Sequence, residues 1–305
     1  MLQCSMIAPR FYPRPRAMKT SEHDQDLTVT SQATVVASTR ITPENTDEVR
    51  QIYLHMDESP ALFPQGQNVG VLVPGPHPFG KKEHHRYYTI ANARPGSDGA
   101  GVELELLVRR CFYVDEVSGE QYPGIASNYL CDARAGDRIT LSGPYRSPFR
   151  IPTDKTSNLV MIGTGTGIAP FRTFLRRVYE EQGHWEGKVR LYYGAKTGMD
   201  LLYMNDLNND LAAYYDRETF QAINGLRPNV LGDEADALGK SLEANAHDIW
   251  QLIQTGHTYV YLAGLKKIAG VFERAMQRAA GDDDAWLAAK QSLIEAQRWS
   301  ELTYQ

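Results

Sequence analysis

Hydrophobic and polar positions follow two different patterns along this chain of 305 residues. From about residue 28, short runs rich in β-branched and aromatic residues alternate with turns that contain Gly and Pro. Such runs predict the strands of an antiparallel sheet or barrel. The predicted strands span residues 27–38, 69–75, 86–91, 102–114 and 137–143.

The pattern changes after about residue 155. A buried strand at 159–162 runs into a glycine-rich turn, and the residues that follow place apolar side chains at the spacing of a helix face. Further strands are predicted at 189–195, 220–223 and 258–264, with helices at 202–215, 265–280 and 283–299. Strands that alternate with helices predict a doubly wound parallel sheet. The predicted fold class is therefore β followed by α/β, with an antiparallel barrel over 28–153 and the parallel sheet over 154–305.

Composition excludes several classes of protein. The chain is 42% hydrophobic and 23% charged, as in soluble globular proteins, and no apolar run approaches the roughly 20 residues that span a bilayer. The net charge of −5 gives no reason to expect nucleic-acid binding. The three cysteines lie far apart without the spacing of metal ligands, so no metal site is expected and a reducing, cytoplasmic location is favoured.

The first twenty residues carry four basic side chains, no acidic one and no apolar core of a secretory signal. We expect residues 1–27 to form a disordered arm. A basic docking segment and a cleaved targeting sequence are the alternatives.

Two motifs carry candidate chemistry. Arg86, Tyr87, Tyr88 and Thr89 place a cation, two rings and a hydroxyl on one strand, a combination that suits a flavin nucleotide but that an ordinary exposed strand also shows. The second motif is the turn Gly163–Pro170 between a strand and a helix. Its glycines allow a close backbone approach, and the helix N-terminus behind them offers free N–H groups to a phosphate. It is not the GxGxxG fingerprint, because proline replaces the third glycine.

With GIASNYLCD at 124–132 and YLAGLKK at 261–267, these motifs occur in the order and spacing of plant-type ferredoxin–NADP reductases, which the chain resembles from about residue 30 to residue 304. The resemblance implies that the barrel binds FAD, that the parallel-sheet domain binds NADP, and that the flavin lies between them. The residues that it assigns to FAD are Arg86, Tyr87, Tyr88, Thr89, Leu107, Val108, Arg109, Tyr113, Gly124, Ile125, Ala126 and Ser127.

The resemblance also assigns residues to the nicotinamide nucleotide. They are Gly163, Thr164, Gly165, Thr166, Gly167, Ala195, Lys196, Asn224, Arg227, Gly264 and Leu265. Three residues are predicted to act in catalysis. Thr89 stands where the family has a serine beside flavin N5, Tyr304 matches the C-terminal tyrosine that covers the flavin, and Glu301 is the nearest candidate for an acidic residue of the family.

The chain departs from the family pattern in several places. Ala263 replaces a cysteine, Leu302 stands at the position of the acidic residue, and Gln305 follows the terminal tyrosine. In the region that grips the 2′-phosphate, Asn224 and Gly225 replace a Ser-Arg pair, which leaves Arg227 and Lys240 as the nearby cations. NADP(H) is favoured on the resemblance, with NAD(H) as the rival.

The predicted function is an FAD-dependent ferredoxin–NADP(H) oxidoreductase that exchanges hydride with a nicotinamide and single electrons with ferredoxin or flavodoxin. One alternative is the reductase component of an oxygenase or another multi-component system. The other is a flavin-binding assembly or sensor subunit without turnover, which the changes at 263 and 302 motivate. The basic arm and the cations Lys81, Lys82, His84 and His85 are candidate contacts for an acidic carrier, although an ordinary solvated loop explains them equally well.

Overall fold

The computed structural model describes residues 30–58, 63, 66–77, 82–97, 99–114, 119–181, 183–205, 209–215, 217–226 and 234–304. The arm at 1–27, Lys81, Arg227 and Gln305 lie outside the described residues.

The first part of the chain forms a closed antiparallel barrel with the strand order β1-β2-β5-β4-β3-β8. Its strands are β1 (Thr30–Arg40), β2 (Val49–Met56), β3 (Asn68–Pro74), β4 (Glu83–Pro95), β5 (Val102–Arg109) and β8 (Arg138–Tyr145). Helix α1 (Ile125–Asp132) buries Ala126, Leu130 and Cys131 against the apolar side chains inside the barrel. A separate hairpin of β6 (Phe112–Val114) and β7 (Gln121–Pro123) projects beside this helix.

The second part is a five-stranded parallel sheet with the order β11-β10-β9-β12-β13. Its strands are β9 (Asn158–Thr164), β10 (Val189–Ala195), β11 (Phe220–Leu226), β12 (Thr258–Leu265) and β13 (Trp299–Tyr304). The helices are α2 (Ile168–Arg176), α3 (Glu234–Ala244), α4 (Ala246–Gln254), α5 (Ile268–Ala280) and α6 (Asp283–Glu295). The predicted fold class is confirmed, because a barrel precedes a parallel sheet with one hydrophobic cluster on each face.

The helix predicted at 202–215 is wrong. Among the described residues of this range, the helical part is a short 3-10 segment, Asp210–Tyr214, and Tyr203 adopts a positive φ of 61° that no right-handed helix contains. The side chain of Tyr203 is fully buried and its hydroxyl bonds to Glu105 of the barrel, so a tertiary contact outweighs the helical pattern. The pattern also missed β2, β7, α3, α4 and β13.

The two parts share one hydrophobic core. Ile41, Val49, Leu107 and Phe149 of the first part pack in the same cluster as the apolar face of α2. The ring of Phe149 stacks on Phe171 at a centroid distance of 5.7 Å, a contact worth about 1 kcal/mol beyond its buried area. This shared core fixes the β5 end of the barrel against the glycine turn after β9. Among the described residues, no helix is long and apolar enough to cross a membrane.

Candidate functional site between the barrel and the parallel sheet

The glycine turn after β9 packs directly against the end of β12. A Cβ atom on Gly167 would lie closer than 3.0 Å to the carbonyl oxygen of Ala263 and to the backbone nitrogen of Gly264. Gly264 has a φ of 124°, and a Cβ there would collide with Thr164 in the same way. Only glycine fits these two positions, because the facing atoms are mostly backbone of central strands.

Two hydroxyl groups hold the turn in place. Thr164 is fully buried, and its Oγ1 accepts a hydrogen bond of 3.0 Å from the backbone N–H of Leu265. The hydroxyl of Tyr193 on β10 donates to the carbonyl of Gly165 at 2.8 Å. The turn is therefore tied to both neighbouring strands at the carboxyl edge of the sheet, which is where ligands bind in open α/β sheets.

Tyr304 lies on this turn. Its backbone ends β13 in register with Leu265, and its carbonyl accepts a hydrogen bond of 2.8 Å from the N–H of Lys266. Its hydroxyl lies 3.4 Å from Thr166 Oγ1 and 3.1 Å from the place of a Cβ on Gly165. The structure thus brings together Gly165, Thr166 and Tyr304, although the last of these is 138 positions further along the chain than Thr166.

Glu301 is not brought to the same place. Side chains alternate along a strand, so Glu301 shares a face of β13 with Trp299, and Leu302 shares the other face with Tyr304. Glu301 accepts a hydrogen bond of 2.7 Å from the indole N–H of Trp299, whereas Leu302 packs against the core shared with the barrel. The carboxylate of Glu301 is therefore separated from the ring of Tyr304 by the strand itself.

Two cations meet one carboxylate beside the turn. Arg109 Nη2 lies 2.7 Å from Asp47 Oδ2, and Lys196 Nζ lies 2.5 Å from the same oxygen. Arg109 ends β5, and Lys196 follows β10, so this contact joins the barrel to the parallel sheet. Burial raises the pKa of Asp47, but hydrogen bonds and charges of the two cations outweigh it and hold that pKa below its ordinary value.

The strand β4 carries the RYYT motif. Arg86 is exposed, and Tyr87 is exposed with its ring edge-on to Tyr145 at 4.8 Å. Tyr88 packs against the barrel core, and burial raises the pKa of its phenol, which therefore stays protonated at neutral pH. The hydroxyl of Thr89 donates to Asn68 Oδ1 on β3 at 2.9 Å, which fixes its orientation.

The GIAS segment begins helix α1. Gly124 has no side chain to cap the first turn, so the backbone N–H groups of the first helical residues point out of the N-terminal end of the helix. The hydroxyl of Ser127 bonds to the backbone of Gly124 and Cys111 and thereby fixes the turn. On the adjoining hairpin, the exposed rings of Tyr113 and Tyr122 stack at a centroid distance of 5.5 Å.

The remaining assigned residues shape the walls of this region. Leu107 and Ala195 are buried in the shared core, and Val108 points into the barrel. Asn224 is exposed on β11, and its carbonyl accepts a hydrogen bond from Ser241 at 3.3 Å.

Four residues of this region were not predicted from the sequence, because each acts through a partner that is distant along the chain. They are Asp47, Tyr193, Glu105 and Arg172.

Two carboxylates, Glu103 inside the barrel and Asp47 between the barrel and the parallel sheet, predict a loss of stability in acid. Hydrogen bonds from Ser97 lower the pKa of Glu103, burial opposes them, and Arg94 lowers that pKa further. The pKa of Asp47 is also lowered. A carboxyl group whose pKa is lower in the folded state stabilises the fold above its unfolded-state pKa, and this contribution is lost as the pH falls through the folded-state value. Thermal unfolding midpoints should therefore decline below about pH 4. The decline should be shallower in Glu103→Gln, and a constant midpoint from pH 5 to pH 3 would contradict the prediction.

Comparison with known proteins agrees with this geometry. Residues 161–273 match the family model of the oxidoreductase NAD-binding domain, so the parallel-sheet domain is of the NAD-binding type. The chain is 33% identical over 270 residues to the cyanelle ferredoxin–NADP reductase of Cyanophora paradoxa, across 83% of this chain and 70% of that protein. It is 32% identical over 266 residues to the ferredoxin–NADP reductase of Spirulina sp., across 85% of this chain and 90% of that protein.

The chain belongs to the ferredoxin–NADP reductase family. A solved structure with the same fold is the ferredoxin-NADP+ reductase from Plasmodium falciparum, with a TM-score of 0.66 and 17% identity over 92% of this chain and 99% of that chain. Membership confirms the predicted family and class of enzyme, and it implies FAD and NADP as the cofactors and ferredoxin as the partner. The roles of individual residues stay predictions.

Proposed function

We propose that this enzyme binds FAD between the barrel and the parallel sheet, takes a hydride from NADPH, and delivers single electrons to ferredoxin or flavodoxin. The observation that carries the proposal is the position of Tyr304. Its hydroxyl meets Gly165 and Thr166 at the carboxyl edge of a parallel sheet, which is where a dinucleotide binds in this class of fold. β13 is an edge strand, so the ring of Tyr304 can move aside without disturbing the rest of the sheet.

The residues of the barrel fit FAD. Arg86 is exposed and has no ion pair among the described residues, so its guanidinium is available to a pyrophosphate. The uncapped N-terminus of α1 offers backbone N–H groups to the same phosphates. The exposed ring of Tyr113 offers a stacking surface to adenine. FAD, when bound, supplies the step between two-electron and one-electron chemistry.

The protein groups around the reacting atoms position the flavin and the nicotinamide and shield them from solvent. The Thr89 hydroxyl on β4 is fixed by the hydrogen bond that it donates to Asn68 on β3, and the Tyr88 phenol presents a neutral ring. Thr166 and Tyr304, which meet at the glycine turn, would cover the face of a bound flavin that is turned toward the nicotinamide. Ala263 contributes its backbone to the turn and no thiol, so it cannot take the role of a cysteine. Glu301 has no part in the proposed transfer, because it lies on the opposite face of β13.

NADP(H) is the proposed nucleotide, on family membership. Arg109, which the resemblance assigns to FAD, lies beside the glycine turn and shares Asp47 with Lys196, so these two cations are the proposed contacts for a phosphate of the nucleotide. The proposed partner is a small acidic carrier, and the exposed Lys82, with His84 and His85 on the same segment, provides the candidate contacts.

Anaerobic titration of the purified protein with NADPH and with NADH, followed by absorbance, tests the proposal. A bound flavin that NADPH bleaches, with cytochrome c reduction that depends on added ferredoxin or flavodoxin, is the expected result. Reduction that neither carrier accelerates favours a reductase component of a multi-component system. A bound flavin that neither nucleotide reduces would contradict the proposal and favour a non-catalytic subunit.

Thr89 offers a matched pair of variants. Thr89→Ser keeps the hydroxyl, and Thr89→Val keeps the branched shape without it. If the hydroxyl aligns the flavin for hydride transfer, the rate of flavin reduction by NADPH in a stopped-flow instrument should fall about 10-fold or more in Thr89→Val and change little in Thr89→Ser. Equal rates in both variants would show that the hydroxyl serves only its bond to Asn68.

A further inference from the structure

The carboxylate of Asp47 occupies a position between two cations where the proposed function places a nucleotide. One oxygen, Oδ2, lies 2.7 Å from Arg109 Nη2 and 2.5 Å from Lys196 Nζ. We call these residues the Asp47 trio. Its members come from the β1–β2 connection, the end of β5 and the residue after β10, so it forms only when the barrel and the parallel sheet are assembled.

The trio borders the glycine turn. Arg109 Nη1 is 3.9 Å from the place of a Cβ on Gly165, and Lys196 directly follows β10 at the carboxyl edge of the sheet. Two cations at this edge, beside a turn that a backbone can approach closely, form a site for an anionic phosphate group. In this structure the anion in the site is the carboxylate of Asp47.

Asp47 is held in this place by its own loop. The buried hydroxyl of Thr42 donates to the carbonyl of Asp47 at 2.7 Å and accepts from the N–H of Val49 at 3.0 Å. Arg40 donates to the carbonyls of Pro43 and Thr46 at 2.6 Å and 2.9 Å. The backbone of Asp47 is therefore fixed by the connection, which keeps its carboxylate within reach of both cations.

The trio is also accessible to solvent, so another anion can readily replace its carboxylate. The Asp47 side chain is 42% exposed and that of Lys196 is 27% exposed. Ion pairs with this much solvent contact contribute little stability, because water and salt screen them. The two linked phosphates of a pyrophosphate together, or a single 2′-phosphate, carry about two negative charges and more acceptor oxygens than one carboxylate, so either can take over both cations.

We propose that Asp47 is an internal competitor for a phosphate group of the nicotinamide nucleotide. Its carboxylate holds Arg109 and Lys196 across the cleft until a phosphate displaces it, and it thereby lowers the affinity for the nucleotide and favours release of the product. This inference rests on the proposed function of the cleft, and it concerns only how tightly the nucleotide is held.

Calorimetric titration of the purified flavoprotein with NADP+ and, separately, with NAD+ tests the inference without turnover. Asp47→Asn should lower the Kd for NADP+ about five-fold. The matched control is Asp132→Asn, which changes the net charge equally but removes an exposed ion pair with Arg110 on the barrel; its Kd should stay at the wild-type value. In a Lys196→Met background, the gain from Asp47→Asn should shrink, because one of the two released cations is missing.

The two nucleotides identify the phosphate. An equal gain for NADP+ and NAD+ assigns the trio to the pyrophosphate that they share, and a gain for NADP+ alone assigns it to the 2′-phosphate. Flavin content and the unfolding midpoint are measured on each variant, and Asp47→Ser serves as a second variant if Asp47→Asn folds poorly. An unchanged or higher Kd in both Asp47 variants, in protein that is folded and flavin-loaded, would overturn the inference. A wild-type protein that binds neither nucleotide would instead contradict the proposed function.

Discussion

Gly167→Ala is expected to destabilise the protein by about 3 kcal/mol and to abolish nucleotide binding in the same variant. A Cβ at this position would lie closer than 3.0 Å to the carbonyl carbon and oxygen of Ala263 and to the nitrogen of Gly264. These are backbone atoms of β12, which is paired with β9 on one side and β13 on the other and cannot retreat. The turn must therefore move away from the sheet.

Movement of the turn breaks the contacts that define the site. Thr164 loses its bond with Leu265, and Gly165 is drawn away from Tyr193 and Tyr304. Loss of stability and loss of the nucleotide site have the same cause in this variant, so no rearrangement preserves one without the other.

Urea unfolding and titration with NADP+ measure the two effects. Gly198→Ala is the matched control, because it lies just beyond β10 in the same domain and a Cβ there meets nothing within 4 Å. Its stability should stay within about 0.5 kcal/mol of the wild type. Equal stability of Gly167→Ala and Gly198→Ala would show that the close approach of residue 167 to Ala263 does not require glycine.

The features predicted correctly from the sequence are those with a local signal. The turn at Gly163–Pro170 is one example, since its glycines and its proline mark a strand-to-helix junction without reference to any other segment. Strands β3, β9 and β12 are buried and rich in branched residues, so their composition alone identifies them.

The features that were missed depend on contacts between distant segments. Asp47 and Lys196 are 149 positions apart, and the sequence around either residue gives no sign that the two are in contact. Tyr203 sits in a segment with a helical pattern, but its contact with Glu105 imposes a different backbone. The placement of Glu301 follows from β13, and once residues 299–304 are known to form a strand, alternation alone puts Glu301 and Tyr304 on opposite faces.

Glu105→Gln is expected to lower the free energy of unfolding by about 3 kcal/mol and to reduce turnover as well. Glu105 is 2% exposed and accepts hydrogen bonds from Gln51 at 2.7 Å, from the Tyr203 hydroxyl at 2.9 Å and from Arg172 at 3.3 Å. Burial raises the pKa of Tyr203 well above its ordinary value, so its hydroxyl remains a donor and needs an acceptor. An amide at 105 removes the charge opposite Arg172 and turns an NH2 group toward these donors.

The consequence for turnover follows from where the partners lie. Gln51 and Glu105 belong to the barrel, whereas Arg172 and Tyr203 belong to the parallel-sheet domain. This buried junction therefore helps to set the distance between a flavin held by the barrel and a nicotinamide held by the sheet, and hydride transfer is sensitive to shifts of about 1 Å.

Glu103→Gln separates the two effects. Glu103 is 3% exposed on the same strand, two residues before Glu105, but it bonds to Arg94 and Ser97 within the barrel. Both variants should be less stable in urea unfolding. Only Glu105→Gln should lower the rate of flavin reduction by NADPH when both are measured fully folded at low temperature. Equal rates would mean that the junction at Glu105 stabilises the fold without aligning the two reacting rings. A slower Glu105→Gln protein with unchanged NADP+ affinity would place its effect on the alignment itself, since the Asp47 trio and the glycine turn would then still bind the nucleotide as before.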